Sequence, residues 1–218
     1  RMPKTKLLIG LGFFSSLKSF LTGYPILKPG KFGSNGIRGD QPKGGGQTEW
    51  VSGGAFSARR SSMFYNFNFK MLDLYEDKMG KGEDAILGYL LSKNGKLVYY
   101  DELLFLHNDQ GDSIYSIDLY SYAKKVSFSR LFLTLERARI DNKGYIFAYM
   151  KYHYYIFWRI LGNLFNYILA PSEERYSLLS GSFHGWIQSF NLNYMPLNQN
   201  QPYWYKEANG DAALATSL

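Results

Sequence analysis

The sequence predicts an α/β layer followed by a helical extension, and three observations predict it. A helical stretch opening at Glu83 is followed by two short β-rich runs, residues 96–100 (KLVYY) and 103–106 (LLFL). From Ser113 onward only helical periodicity continues. The 218 residues are 45% hydrophobic and 18% aromatic, enough for one sizeable core. An order of strand, helix and strand belongs to a layered arrangement rather than to a bundle.

Residues 6–21 mix apolar residues with Lys and Ser and predict a short helix. Residues 23–47 are rich in Gly, Pro and Lys, which predicts a mobile loop. The segment TEWVSGGAFSARRSSMF reads as a short strand, a glycine turn and a helix beginning near Ser57. Glu83 and Asp84 open an apolar-periodic helix through Ala85, Ile86, Tyr89 and Leu90, and Asn94-Gly95 stops it.

The helical part starts with the pattern from Ser113 to Leu135 and breaks at residues 142–144. A second helix covers 145–169 and is ended by Pro171, and a third covers 172–190. The tail 191–218 is rich in Asn, Gln and Pro without periodicity, which predicts disorder. The expected organisation is therefore a partial layer over 1–112, a helical extension over 113–190 and the tail.

A formal net charge of +7 suits anionic partners: a nucleotide diphosphate, an anionic lipid surface or a nucleic acid. The basic residues are scattered and form no nucleic-acid-binding motif, so nucleic acid ranks last. The absence of cysteine excludes disulfides, thiolate metal sites and cysteine nucleophiles. The start carries no secretory cleavage pattern. Its first residue is Arg, which reads as a fragment whose start lies upstream.

Gly82-Glu83-Asp84 is the strongest local signal for chemistry. A carboxylate in the first turn of a helix is held as the anion by the helix dipole and free N–H groups. It can then take a proton from an attacking hydroxyl. Taken alone, the dipeptide is accounted for by helix capping.

The context adds to it. Trp50-Val51-Ser52-Gly53-Gly54, continuing to Arg59-Arg60, is followed in order by Gly82-Glu83-Asp84, an apolar helix, Gly95 with Tyr100, and His107. This ordered set, spanning about 60 residues, resembles the acceptor-side half of family 2 inverting glycosyltransferases. The resemblance implies an incomplete GT-A-type (Rossmann-like) mixed sheet layer. It implies Asp84 as catalytic base with Glu83 in support, and Gly53 and Gly54 as a turn approaching the donor sugar and diphosphate. Arg59 and Arg60 match the basic pair after that turn; exposed Arg stems packed on a sheet are the alternative, which accounts for Arg60 equally. His107 matches a position that completes a divalent metal site in some members, while a lone His at a strand end is also a common structural feature. Trp50 lines the acceptor site on this reading, or belongs to the core.

The family's donor half carries an acid-x-acid metal motif, and this chain has no Asp-x-Asp or Asp-x-Glu and no βαβ pattern before Trp50. The nucleotide-binding half and most of the seat for a divalent Mn or Mg ion are therefore expected outside it. The implied function is transfer of a sugar from a nucleotide-sugar donor to a glycan or lipid-linked acceptor.

The stretch YIFAYMKYHYYIFWRILGNLFNYILA is highly aromatic, but Lys151, His153 and Arg159 interrupt it. It is a poor spanning segment and suits an interfacial helix on an anionic leaflet. Peripheral attachment at the cytoplasmic face of the cell membrane is the expected location. The competing function is a catalytically inactive membrane-surface or oligomerisation module.

Overall fold

The computed structural model describes residues 26–51, 57–58, 68, 81–100 and 118–192. The described residues form four helices and one two-stranded sheet: β1 (Gly46–Gln47), α1 (Glu83–Asn94), β2 (Val98–Tyr99), α2 (Leu119–Ile140), α3 (Tyr145–Leu169) and α4 (Glu173–Ser189).

Local chemistry sets the helix ends. α1 has Glu83 and Asp84 in its first turn and Lys93 in its last, matching the helix macrodipole. The Asp118 carboxylate accepts the N–H of Tyr120 at 3.0 Å and of Ser121 at 3.3 Å, which starts α2. Ser172 Oγ accepts the N–H of Arg175 at 3.3 Å to start α4. The Arg175 guanidinium then donates to the carbonyls of Asn166 (2.8 Å) and Ala170 (2.9 Å), which closes the end of α3.

α2 is the central element. Nearly every residue from 126 to 136 is buried, so it is covered on all sides rather than along one stripe. On one side Phe128, Phe132 and Leu133 join Phe32, Trp50, Ala85, Ile86 and Tyr89 in a first core cluster. On the other, Leu131, Leu135 and Ala138 join Ile37 and the α3 residues Ala148, Tyr152, Tyr155 and Ile156 in a second. Both clusters unite residues from either side of the boundary at 112/113 expected from the sequence. Two buried hydroxyls of α2 bond back to the helix itself: Thr134 Oγ1 donates to Arg130 O at 2.7 Å and Ser129 Oγ to Lys125 O at 2.6 Å.

α4 lies closest to α2. A Cβ on Gly181 would stand 2.3 Å from Tyr120 O, and one on Gly185 would stand 2.3 Å from Lys124 O. Two contacts four residues apart on both helices mean that α2 and α4 run parallel in register, backbone against backbone. Larger residues at these two glycines would force the pair apart.

The segment before β1 carries few large apolar residues, yet it is anchored. Phe32 is 1% exposed and meets the Tyr89 ring at 5.3 Å. Glu49 accepts hydrogen bonds from Lys31 Nζ (2.7 Å) and the Phe32 N–H (3.0 Å). The Arg137 guanidinium lies over the rings of both Phe32 and Tyr89.

The mixed sheet layer expected from the sequence is corrected by the structure. Four helices hold 61% of the described residues, and the sheet among them has two strands. β1 and β2 pair antiparallel through Gly46 with Tyr99 and Gln47 with Val98. Two residue pairs offer no face to bury: Val98 is 49% and Tyr100 69% exposed. A parallel layer would need long apolar strands covered on both faces; here the apolar mass sits on α2 and its neighbours. The second β-rich run, 103–106, lies outside the described residues, as do 6–21 and the tail from 193.

Asp141, at the end of α2, joins this helix to α1. Its Oδ1 accepts the Tyr89 hydroxyl at 2.6 Å and faces Lys93 Nζ at 3.1 Å; its Oδ2 faces Arg137 and Lys143. Burial alone would raise this carboxyl, but the Tyr89 hydroxyl, Lys93 and Arg137 outweigh it and bring it from 3.8 to about 2. A lowered carboxyl stabilises the fold while ionised, so its contribution is complete above the unfolded value and lost as pH falls toward 2. Urea denaturation followed by circular dichroism is expected to show the parent losing stability between about pH 5 and about pH 2 more steeply than Asp141→Asn. Identical acid limbs would refute this role.

Candidate functional site

Two of the residues singled out by the sequence meet at one place. Trp50 is buried in the first core cluster, where it lies against α1. The contact is made at Gly88: a Cβ there would stand 2.5 Å from Val51 N and 2.8 Å from Trp50 Cα. A mid-helix glycine costs about 1 kcal/mol relative to alanine, and here it lets the chain at residues 50–51 lie directly on the helix.

Six residues before Gly88, Gly82 starts α1 in a left-handed conformation (φ 94°), which favours glycine. Glu83 and Asp84 follow, both partly buried. Asp84 Oδ1 accepts the N–H of Ala85 at 2.7 Å, and Oδ2 faces Arg38 Nη1 at 3.3 Å. The same guanidinium lies 5.1 Å above the Trp50 ring. Arg38 therefore couples the carboxylate and the indole, clamping the acid by charge while its flat face stacks on the ring.

A cavity of about 230 Å³ opens beside this trio. Its wall is contributed by the loop at Gly36, Ile37 and Arg38, by Lys81, Gly82 and Ala85 at the start of α1, by one face of α2, and by Tyr155 and Arg159 of α3. The α2 positions are Tyr122, Val126, Ser129, Arg130 and Leu133, a single stripe at helical spacing. Asp84 stands between two of the lining residues, Gly82 and Ala85, and is paired with a third, Arg38.

Among the described residues four cations line the cavity and no acid does: Arg38, Lys81, Arg130 and Arg159. Arg130 Nη1 donates to the Gly36 carbonyl, and Arg159 Nη1 donates to the Tyr155 hydroxyl at 3.1 Å. Lys81 Nζ stands 3.9 Å over the Tyr122 ring. Burial lowers the Lys81 ammonium below 10.5, and the charges of Arg38, Lys125 and Arg130 lower it further, against the opposing pull of Asp84.

Of the other sequence-derived candidates, Gly53, Gly54, Arg59, Arg60 and His107 lie outside the described residues. Among the described residues no group of three His, Cys, Asp or Glu side chains could hold a metal ion.

The sequence reading passed over Arg38, Lys81 and Arg130. No local pattern sets them apart from other surface cations, because 29 residues separate Arg130 from Arg159 and 92 separate Arg38 from Arg130. The two histidines of the helical part are structural. His153 Nδ1 accepts the Trp186 indole N–H at 2.8 Å and burial lowers its pKa, and His184 Nδ1 pairs with the Tyr120 hydroxyl at 3.0 Å.

Comparison of the chain with family models, with curated proteins and with solved structures finds no match.

The crowding of positive charge has a measurable consequence. In a lysine-selective NMR titration, Lys81 is expected to lose its proton at a lower pH than the exposed lysines. The Arg38→Gln variant should move it upward, because a repelling cation is removed and Asp84 keeps its attraction. A Lys81 that titrates with the surface lysines in both proteins would contradict the assigned environment.

Proposed function

We propose that this chain is the acceptor-side part of an inverting glycosyltransferase, with Asp84 as its base. The observation that carries the reading is the placement of Asp84: first turn of α1, clamped by Arg38 over Trp50, next to a cavity. The ordered series from Trp50 through Gly82-Glu83-Asp84 to His107 supports it from the sequence side. The nucleotide-sugar donor and its divalent metal belong, in this reading, to residues outside this chain.

The step is a single displacement. The acceptor hydroxyl gives its proton to the Asp84 carboxylate as its oxygen bonds to the anomeric carbon. The bond from that carbon to the diphosphate oxygen breaks on the opposite face, and the nucleoside diphosphate leaves with the electron pair. Arg38 is a positioning residue, and Trp50, buried in the core, supports Arg38 from beneath.

A second reading rests on α3. Among the described residues no helix is long and apolar enough to cross a membrane. Yet the face of α3 turned away from the core exposes Phe147, Met150, Tyr154, Phe157, Leu164 and Ile168. These recur three, four or seven residues apart, and half-buried Leu161 stands between Phe157 and Leu164, so they share one face of the helix. Exposed Lys143 and Lys151 and half-buried Arg175 accompany it. Apolar and aromatic residues flanked by cations suit the headgroup region of an anionic leaflet, which would place the protein peripherally at the inner face of the cell membrane.

In the protein that joins this chain to its donor half, Asp84→Asn is expected to lower turnover by about 10²- to 10⁴-fold, the usual share of a general base, with nucleotide-sugar affinity unchanged. Near-normal turnover in that variant would remove Asp84 from the role. For α3, sedimentation with phosphatidylglycerol vesicles should capture the parent chain and release it when Phe147, Met150 and Phe157 are changed to Ser. If instead the parent forms a dimer that these changes dissolve, and vesicles leave it in solution, the stripe is a contact between copies.

A further inference from the structure

We propose that the cavity bounded by Arg38, Lys81, Arg130 and Arg159 is a binding site for a phosphate or diphosphate group. The inference goes beyond the transferase reading and stands without it, because anion binding asks nothing of Asp84 as a base.

Four features of the wall lead to it. First, among the described residues the lining collects four cationic side chains from four parts of the chain and no carboxylate, with Asp84 paired to Arg38 just outside it. Like charges repel when brought together at a partly buried wall, and an anion among them reverses the sign of that energy. Second, three of the four are arginines, whose forked N–H donors match the oxygens of a phosphate in pairs. Third, Arg159 Nε is buried and has no hydrogen-bond partner, while its Nη1 is committed to Tyr155. A buried N–H donor left unmet costs roughly 1–3 kcal/mol, which an acceptor oxygen in the cavity would recover. Fourth, Gly82 and Ala85 bring the start of α1, the positive end of a twelve-residue helix, to the same wall.

Size narrows the ligand. About 230 Å³ is below the roughly 300–1,000 Å³ of sites that enclose a drug-sized molecule. A whole nucleotide sugar does not fit inside; a phosphate or diphosphate does, with the rest of its molecule outside. Arg130 is held for this task by its bond to Gly36 O. Lys81, whose ammonium is depressed by burial and by its cationic neighbours, gains a proton-stabilising partner when the anion arrives.

The source of the phosphate is a free molecule or a lipid headgroup, and one set of measurements separates them. Isothermal titration of the chain with inorganic pyrophosphate at low salt should give saturable binding that weakens as salt is raised. Lys81→Gln and Arg159→Gln should each weaken it about tenfold or more, the loss of one charge-assisted hydrogen bond. Lys151→Gln, which removes the same charge from the exposed side of α3, should change it by less than about twofold. Pyrophosphate should also raise the melting temperature of the unaltered chain by linkage, a readout that needs no variant. If vesicles holding phosphatidic acid compete with pyrophosphate, and the two cavity variants lose the vesicles, the ligand is a lipid headgroup. If uridine diphosphate competes and the vesicles do not, it is a free phosphate compound. Absence of saturable binding and of any melting shift overturns the proposal, and so does an equal loss in Lys151→Gln, which would mean diffuse attraction by net charge.

Discussion

Leu133 of α2 sets the geometry on which the rest depends. A Cβ on Gly36 would stand 2.9 Å from Leu133 Cβ, and one on Gly82 would stand 2.7 Å from Leu133 Cδ1. Both glycines are also left-handed, at φ 73° and 94°, so neither position accepts an ordinary side chain. One leucine is thus gripped between two stretches of backbone 46 residues apart. The grip brings the loop carrying Arg38 and the helix start carrying Asp84 to the same stretch of α2. Arg130, one turn before Leu133, then reaches the Gly36 carbonyl, and the cavity is the space left on that face of the helix.

The two ends of α1 handle charge in opposite ways. Near its C-terminal end, Asp141 gathers Lys93, Arg137, Lys143 and the Tyr89 hydroxyl, so cations and acid are brought together and the contact ties α1 to α2. Near its N-terminal end the cavity wall carries, among the described residues, four cations with no lining acid. The first arrangement explains itself as structure. The second has no structural purpose of its own, since a cluster of like charges raises the free energy of the fold. Asp84 offsets it at Arg38 and, at longer range, at Lys81.

Much of the helical part was legible in the residues. The start of α1 at Glu83, its stop at Asn94-Gly95, the length of α3 and the start of α4 at Ser172 all follow from caps and breakers that act within a turn or two. The sheet was not legible. Residues 96–100 have strand composition, but composition does not reveal whether partner strands exist, and here two residues of β2 meet only two of β1. The Gly-rich segment 26–47 likewise hid its anchoring, because Phe32 and Ile37 are single apolar residues without periodicity. Of the candidate site, Asp84 and Trp50 could be named from motif order; Arg38, which joins them, could not.

The sequence by itself determined where α1, α3 and α4 begin and end, the net positive charge, and the acidic first turn of α1, since each is a property of neighbouring residues. The tertiary structure decided what they assemble into. It made α2 a helix buried on all sides, matched Gly181 and Gly185 to the backbone of α2, and brought Arg38, Lys81, Arg130 and Arg159 to one wall. Those are contacts between residues distant along the chain, and they depend on packing space and direction, which local composition does not encode.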